Sequence, residues 1–233
     1  MKKKRILALF LAAVSCLSLA VSASAAGTTT RKATDFKDYD RTAWYAEAVS
    51  AAVDNGLLYG KSATVIDPNG DMTRAEMAAI INRSFGCYKA ADISQYKDVA
   101  KSKWYYKDVA MAVQMGTYNG RSSSTMAPDS PITRQEAMTV VARALELDYD
   151  SYSKTDLSAF SDRSEISNWA LPYVRAMVGA DYIHGRGKTL APLDNITRAE
   201  FAQIFYNIIG TYIVSKGTYD KDIKGSVLIR TDD

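Results

Sequence analysis

Apolar positions fall into two helical stripes that alternate three times along the chain. Trp44, Ala48, Ala52 and Val53 share one helix face, and Gly56 stands where a left-handed residue would end that helix. A turn-rich stretch with Gly60, Pro68, Asn69 and Gly70 follows, and a second helix from Thr73 carries Met77, Ile80, Ile81 and Phe85. The order returns with Trp104, Val109 and Val113, then Gly116, Gly120, Pro128 and Pro131, then Met138, Val141 and Leu145. It returns again with Trp169, Val174 and Val178, then Gly185 and Pro192, then Phe201, Ile204, Phe205 and Ile208. The pattern predicts an all-α fold of three helical pairs, at 36–86, 96–145 and 160–209, joined by polar connectors at 87–95 and 146–159. A pair of this size cannot bury both stripes alone, so the second helices are expected to share a core.

Each second helix opens on one motif: Thr73-Arg74-Ala75-Glu76, Thr133-Arg134-Gln135-Glu136 and Thr197-Arg198-Ala199-Glu200, spaced 60 and 64 residues apart. Thr-x-x-Glu is a capping box, which explains the threonine and the glutamate without any ligand. The arginine needs another reason, because a cation in the first turn opposes the helix dipole. An internal acid is one candidate, and Asp38, Asp98 or Asp162 at the start of each unit would serve. An external anion held by the guanidinium and the helix N-terminus is the other. The loop glycine is followed by a base in every unit, Lys61, Arg121 and Arg186, so two cations per unit could converge on one carboxylate or phosphate. Trp44, Trp104 and Trp169 precede the motif arginines by 30, 30 and 29 residues and suit either a core or a sugar-stacking role. Gln135 in place of alanine is expected on an exposed turn.

Composition narrows the function. Lys2-Lys3-Lys4-Arg5, an apolar stretch from Ile6 to Ala20 and Ala23-Ser24-Ala25 predict a signal peptide at 1–25, followed by a Thr-rich spacer at 26–35. Cleavage is favoured over lipidation of Cys16, whose lipobox match is faint. That segment holds four of the 29 basic residues and none of the 26 acidic ones, so the rest is near neutral. Nucleic acid is therefore not an expected partner, and no transmembrane segment is expected in the mature chain. Cys87 would be alone there and His184 is the one histidine, which excludes an internal disulfide and His-pair metal sites. No catalytic motif appears, and neither an enzyme nor a cofactor is expected. The tail, 210–233, carries an apolar cluster at Val227 to Ile229 without a functional reading.

Phe36-Lys37-Asp38, Trp44-Tyr45, Gly56-Leu57, Gly60, Asp67-Pro68-Asn69 and Thr73-Arg74-Ala75-Glu76, in that order and repeated twice more, resemble the S-layer homology domain. The resemblance implies a pseudo-threefold bundle, three second helices at the centre and three outer helices around them. It implies a secreted bacterial surface anchor that binds secondary cell-wall polysaccharide, typically bearing acidic pyruvyl ketals, in grooves between units. Carried over, it assigns Arg74, Arg134 and Arg198 to the acid group, with Gly60, Gly120 and Gly185 permitting close approach. Lys61, Arg121, Arg186 and the tryptophans join them from the spacing argument, and Asp38, Asp98 and Asp162 are counted with the expected glycan site. In the third unit Asp181 replaces the helix-ending glycine and Pro172 enters the first helix. The alternative is a surface adaptor that binds other surface proteins through its helical repeats and no glycan.

Overall fold

Among the described residues six α-helices carry the fold: α1 (Ala46–Asp54), α2 (Arg74–Phe85), α3 (Tyr106–Gln114), α4 (Arg134–Ala144), α5 (Leu171–Gly179) and α6 (Arg198–Ile209). The computed structural model describes residues 31–87, 89–209, 213–214 and 228–229. The expected signal peptide, half of the spacer and most of the tail lie outside the described residues. Ile213–Val214 and Leu228–Ile229 form a two-residue antiparallel pair, a small addition to the helical plan.

The second helices start as their sequences dictate. Thr73, Thr133 and Thr197 each accept from the amide three residues on, and Glu76, Glu136 and Glu200 reach back to the threonine amides at 2.9, 3.1 and 3.0 Å. Each such cap contributes about 1 kcal/mol. The first helices are followed by left-handed residues, Gly56, Gly116 and, in the third unit, Asp181 at φ 63°. Aspartate thus does the work of glycine there, at the steric cost of a Cβ.

Packing is between units rather than within them. The first helix of each unit lies on the second helix of the unit before it: α3 on α2, α5 on α4, and α1 on α6, which closes the circle. Met77, Ile81, Met138, Val141, Phe201 and Phe205 form the inner core. Around the pseudo-threefold axis the backbone itself closes a ring. Met72 N–H donates to Ile196 O, Ile196 N–H to Ile132 O and Ile132 N–H to Met72 O, each at 3.0 Å.

Candidate functional site

The loop between the two helices of each unit is shaped from inside. Asp38 accepts from the amides of Ile66 and Asp67, Asp98 from Met126 and Ala127, and Asp162 from Leu190 and Ala191. The second residue of each pair sits at positive φ, 56°, 55° and 48°, so the carboxylate holds a backbone turn that a non-glycine residue resists. These aspartates are therefore not the arginines' partners, as one reading of the sequence had it. They aim a carbonyl instead. Ile66 O, Met126 O and Leu190 O, beside the clamped amides, receive the Nε of Arg198, Arg74 and Arg134 at 2.9, 2.9 and 2.8 Å, always from the preceding unit in the circle.

The motif arginines are consequently buried almost completely. Arg74, Arg134 and Arg198 are 5%, 4% and 2% exposed. Arg74 also donates to Asn119 O, and Arg198 to Tyr59 O. The helix N-termini are equally occupied. The first two amides of α2 bond Ser130 O and Pro128 O, those of α4 bond Asp194 O and Pro192 O, and those of α6 bond Gly70 O and Pro68 O. An anion held jointly by a free guanidinium fork and free helix amides has no place here, because the neighbouring loop already fills both.

The two cations of one unit do not converge as expected; each loop cation meets the motif arginine of the preceding unit instead, on an internal carboxylate. Glu76 meets Lys61 at 2.6 Å and Arg198 at 3.3 Å; Glu136 meets Arg121 at 3.3 Å and Arg74 at 4.0 Å; Glu200 meets Arg186 at 2.6 Å and Arg134 at 3.2 Å. The capping glutamate, assigned no further role by sequence reasoning, is the hub. Burial by itself would raise the acids of Glu76 and Glu200. The hydrogen bond from the loop cation, the threonine amide and the motif arginine together outweigh it and hold both below the usual glutamate range. Burial in turn lowers the Arg134 and Arg198 guanidinium values, with Glu200 and Glu76 opposing.

The loop glycines have an internal reason as well. A Cβ at Gly60 would lie 2.4 Å from the Phe36 ring, and one at Gly120 2.4 Å from the Tyr96 ring; at Gly185 it would meet Thr189 O at 2.6 Å. Gln135 is buried, not on an exposed turn. Its side chain exchanges two hydrogen bonds with Ser167, at 3.1 and 3.0 Å, and so ties α4 to the entry of the third unit.

The tryptophans lie outside the core. Trp44, Trp104 and Trp169 are 63%, 63% and 51% exposed, each just ahead of a first helix. Trp44 and Trp104 stand edge-to-face on Tyr45 and Tyr105 with centroids 5.5 and 5.4 Å apart. Between the second unit and its neighbours a hollow of about 400 Å³ is lined by Arg74, Tyr118, Gly120, Arg121, Arg143 and Trp169, with Glu136 and Thr139 on its floor. It gathers a residue of the first unit, the loop and α4 of the second, and the indole of the third. Arg143 was not singled out from the sequence. Its signal is there, since Arg83 and Arg143 both fall nine residues after a motif arginine.

Other candidates are placed more simply. His184 is exposed and contacts Asp181 at 3.1 Å, and Cys87 is half-buried with its thiol toward Met111 O. Among the described residues no cluster of His, Cys, Asp or Glu is arranged to hold a metal, and no helix is long and apolar enough to cross a membrane.

The family model described as S-layer homology domain matches residues 35–78, 95–138 and 159–202, and the chain belongs to that family. It is 34% identical over 182 residues, 76% of its length, to the surface-layer 125 kDa protein of Lysinibacillus sphaericus. It is 27% identical over 195 residues, 82% of its length, to the middle cell wall protein of Brevibacillus brevis. An amylopullulanase of Thermoanaerobacterium thermosulfurigenes is 29% identical over 200 residues, 80% of this chain. The chain spans only 15%, 17% and 11% of these relatives. The triple repeat thus belongs with elements of the bacterial cell surface.

Proposed function

We propose that the chain fixes itself to an acidic secondary cell-wall polysaccharide, with the acid group of a pyruvylated amino sugar seated in a groove between units. The observation that carries this reading is the hollow in which the half-exposed Trp169 indole stands beside three guanidinium groups, those of Arg74, Arg121 and Arg143. An indole face stacks on a sugar ring, while guanidinium groups take a carboxylate through charge-assisted bonds of about 1.5–3 kcal/mol each. Arg74, Arg134 and Arg198 act from beneath: buried against neighbouring loops, they shape the groove walls and lend positive potential. Lys61, Arg121 and Arg186 are the more exposed cations of the three loops, side by side with Gly60, Gly120 and Gly185.

The measurement is co-sedimentation of the purified protein with cell walls before and after chemical removal of the pyruvyl ketals. Loss of at least about tenfold in affinity on stripped walls, roughly one charge-assisted bond at 1.4 kcal/mol per factor of ten, is expected. Undiminished binding to stripped walls overturns the reading and favours an adaptor that docks on other surface proteins.

A further inference from the structure

The three inter-unit surfaces around the loop cations are built on one plan but are not chemically equal. Resting on the acidic-glycan reading above, we infer that one of them, formed by the second unit's loop and α4 with Trp169, is the acid-binding site, and that Arg121 and Arg143 are its anion-contacting residues.

The units differ most at the position nine residues after each motif arginine. In the first unit it is Arg83, whose guanidinium carbon lies 4.1 Å from the centroid of the Tyr59 ring and whose terminal nitrogen donates to Leu57 O at 2.7 Å. Asp108, on the α3 face packed against α2, supplies a counter-charge. The Tyr59 ring and the Leu57 carbonyl thus occupy the cation, with the Asp108 charge nearby. In the third unit the position is Asn207, a neutral side chain already bonded to Tyr182 O at 3.1 Å and to Gln203 at 2.8 Å. The loop cation there, Arg186, is also held by two acids, Glu200 at 2.6 Å and Asp194 at 2.7 Å. Asp194 has Gly70 and Ser130 as its counterparts, so this second clamp belongs to the third unit alone.

The second unit differs at every one of these points. Asn119 replaces Tyr59, both residues offering the carbonyl that takes a motif arginine. No aromatic ring from that position lies over Arg143. Tyr173 replaces Asp108 four residues after the tryptophan, so Arg143 is positioned by a neutral phenol, 3.2 Å from its hydroxyl with the ring centroid 4.9 Å away. Among the described residues Arg143 forms no ion pair, and Arg121 shares Glu136 with Arg74, its own side chain 43% exposed. Three guanidinium groups face one carboxylate across an open hollow. Gln135, where the other units have Ala75 and Ala199, bonds Ser167 and so fixes the segment that carries Trp169. A carboxylate on a sugar matches this arrangement: an anion for Arg121 and Arg143, and a ring for the indole.

Titration calorimetry with a pyruvyl-ketal amino-sugar disaccharide, and with its ketal-free parent, tests the assignment on the full chain. Expected are one site per chain, at least tenfold weaker binding for Arg143→Gln and for Trp169→Ala, and unchanged affinity for Arg83→Gln. Tyr59→Asn, which gives the first unit the second unit's residue, is expected to add a second, weaker site. Circular dichroism checks folding, and Trp169→Ala, at an exposed position, keeps the test open should Arg143→Gln unfold. Three equivalent sites in the wild-type chain, or full affinity in Arg143→Gln, overturns the groove assignment alone. Equal binding of the ketal-free parent overturns the acidic-glycan reading and the assignment with it.

Discussion

An arginine in the first turn of a helix stands against the dipole, and in this chain each one is stabilised by a neighbour's glutamate and carbonyl rather than by its own unit. Removing the cation from such a buried pair leaves a carboxylate and a carbonyl unmatched. Arg134→Ala and Arg198→Ala are therefore expected to cost about 3–5 kcal/mol each in urea denaturation. Lys61→Ala, on the wet side of the same glutamate, is expected to cost less than about 1 kcal/mol. The depressed acids of Glu76 and Glu200 give this network a pH signature. Their stabilisation is complete above the unfolded glutamate value of about 4.3 and is lost as pH falls through the lower folded values. Melting temperature should hold between pH 7 and 5 and drop below about pH 4, with a flatter acid limb in Glu200→Gln. The motif, its cap and the pairing of loop cations with a carboxylate were legible in the residues. That the carboxylate is the cap's own glutamate was not, because a capping box reads the same whether or not a neighbouring arginine reaches it.

Elements show the same division between local and relational information. Helix starts at Thr73, Thr133 and Thr197, and the left-handed ends at Gly56 and Gly116, follow from residue types that have few other uses. Trp44, Trp104 and Trp169 are harder, since their spacing suits a helix face but each lies just before its helix and points outward. The loop glycines are harder still. Glycine beside a base suggests close approach of a ligand, whereas the ring of Phe36 or Tyr96 and two loop carbonyls already occupy the space of a side chain. Gly120→Ala should thus destabilise the fold by about 1–3 kcal/mol through overpacking. Ala127→Gly, at φ 55° in the same loop, should be near neutral or stabilising, because relief of the left-handed strain offsets glycine's larger unfolded-state entropy. Equilibrium unfolding of the two variants separates crowding from backbone conformation within one loop.

Whether three units behave as beads or as one body depends on contacts that no unit contains by itself. Each first helix covers the second helix of the preceding unit, the loop carbonyls of each unit saturate the helix start of the preceding one, and the last of these links runs from α6 back to α1 and to Gly70 and Pro68. A periodic sequence displays the units but not this offset, because a stripe looks identical whichever neighbour buries it. In an open array, a terminal unit can fray while the rest persists. Here every unit is interior to a circle, and losing any one exposes an apolar helix face on each neighbour and orphans the buried helix-start amides of the preceding one. Unfolding should therefore be a single cooperative transition, and the exposed indoles supply the probes. Three variants, each retaining one of Trp44, Trp104 and Trp169 with phenylalanine at the other two positions, should give fluorescence melts whose midpoints coincide with one another and with the loss of helical ellipticity. A third-unit probe melting ahead of the others would show that the contact of α1 with α6 is too weak to close the circle, and the molecule would then behave as a short linear stack.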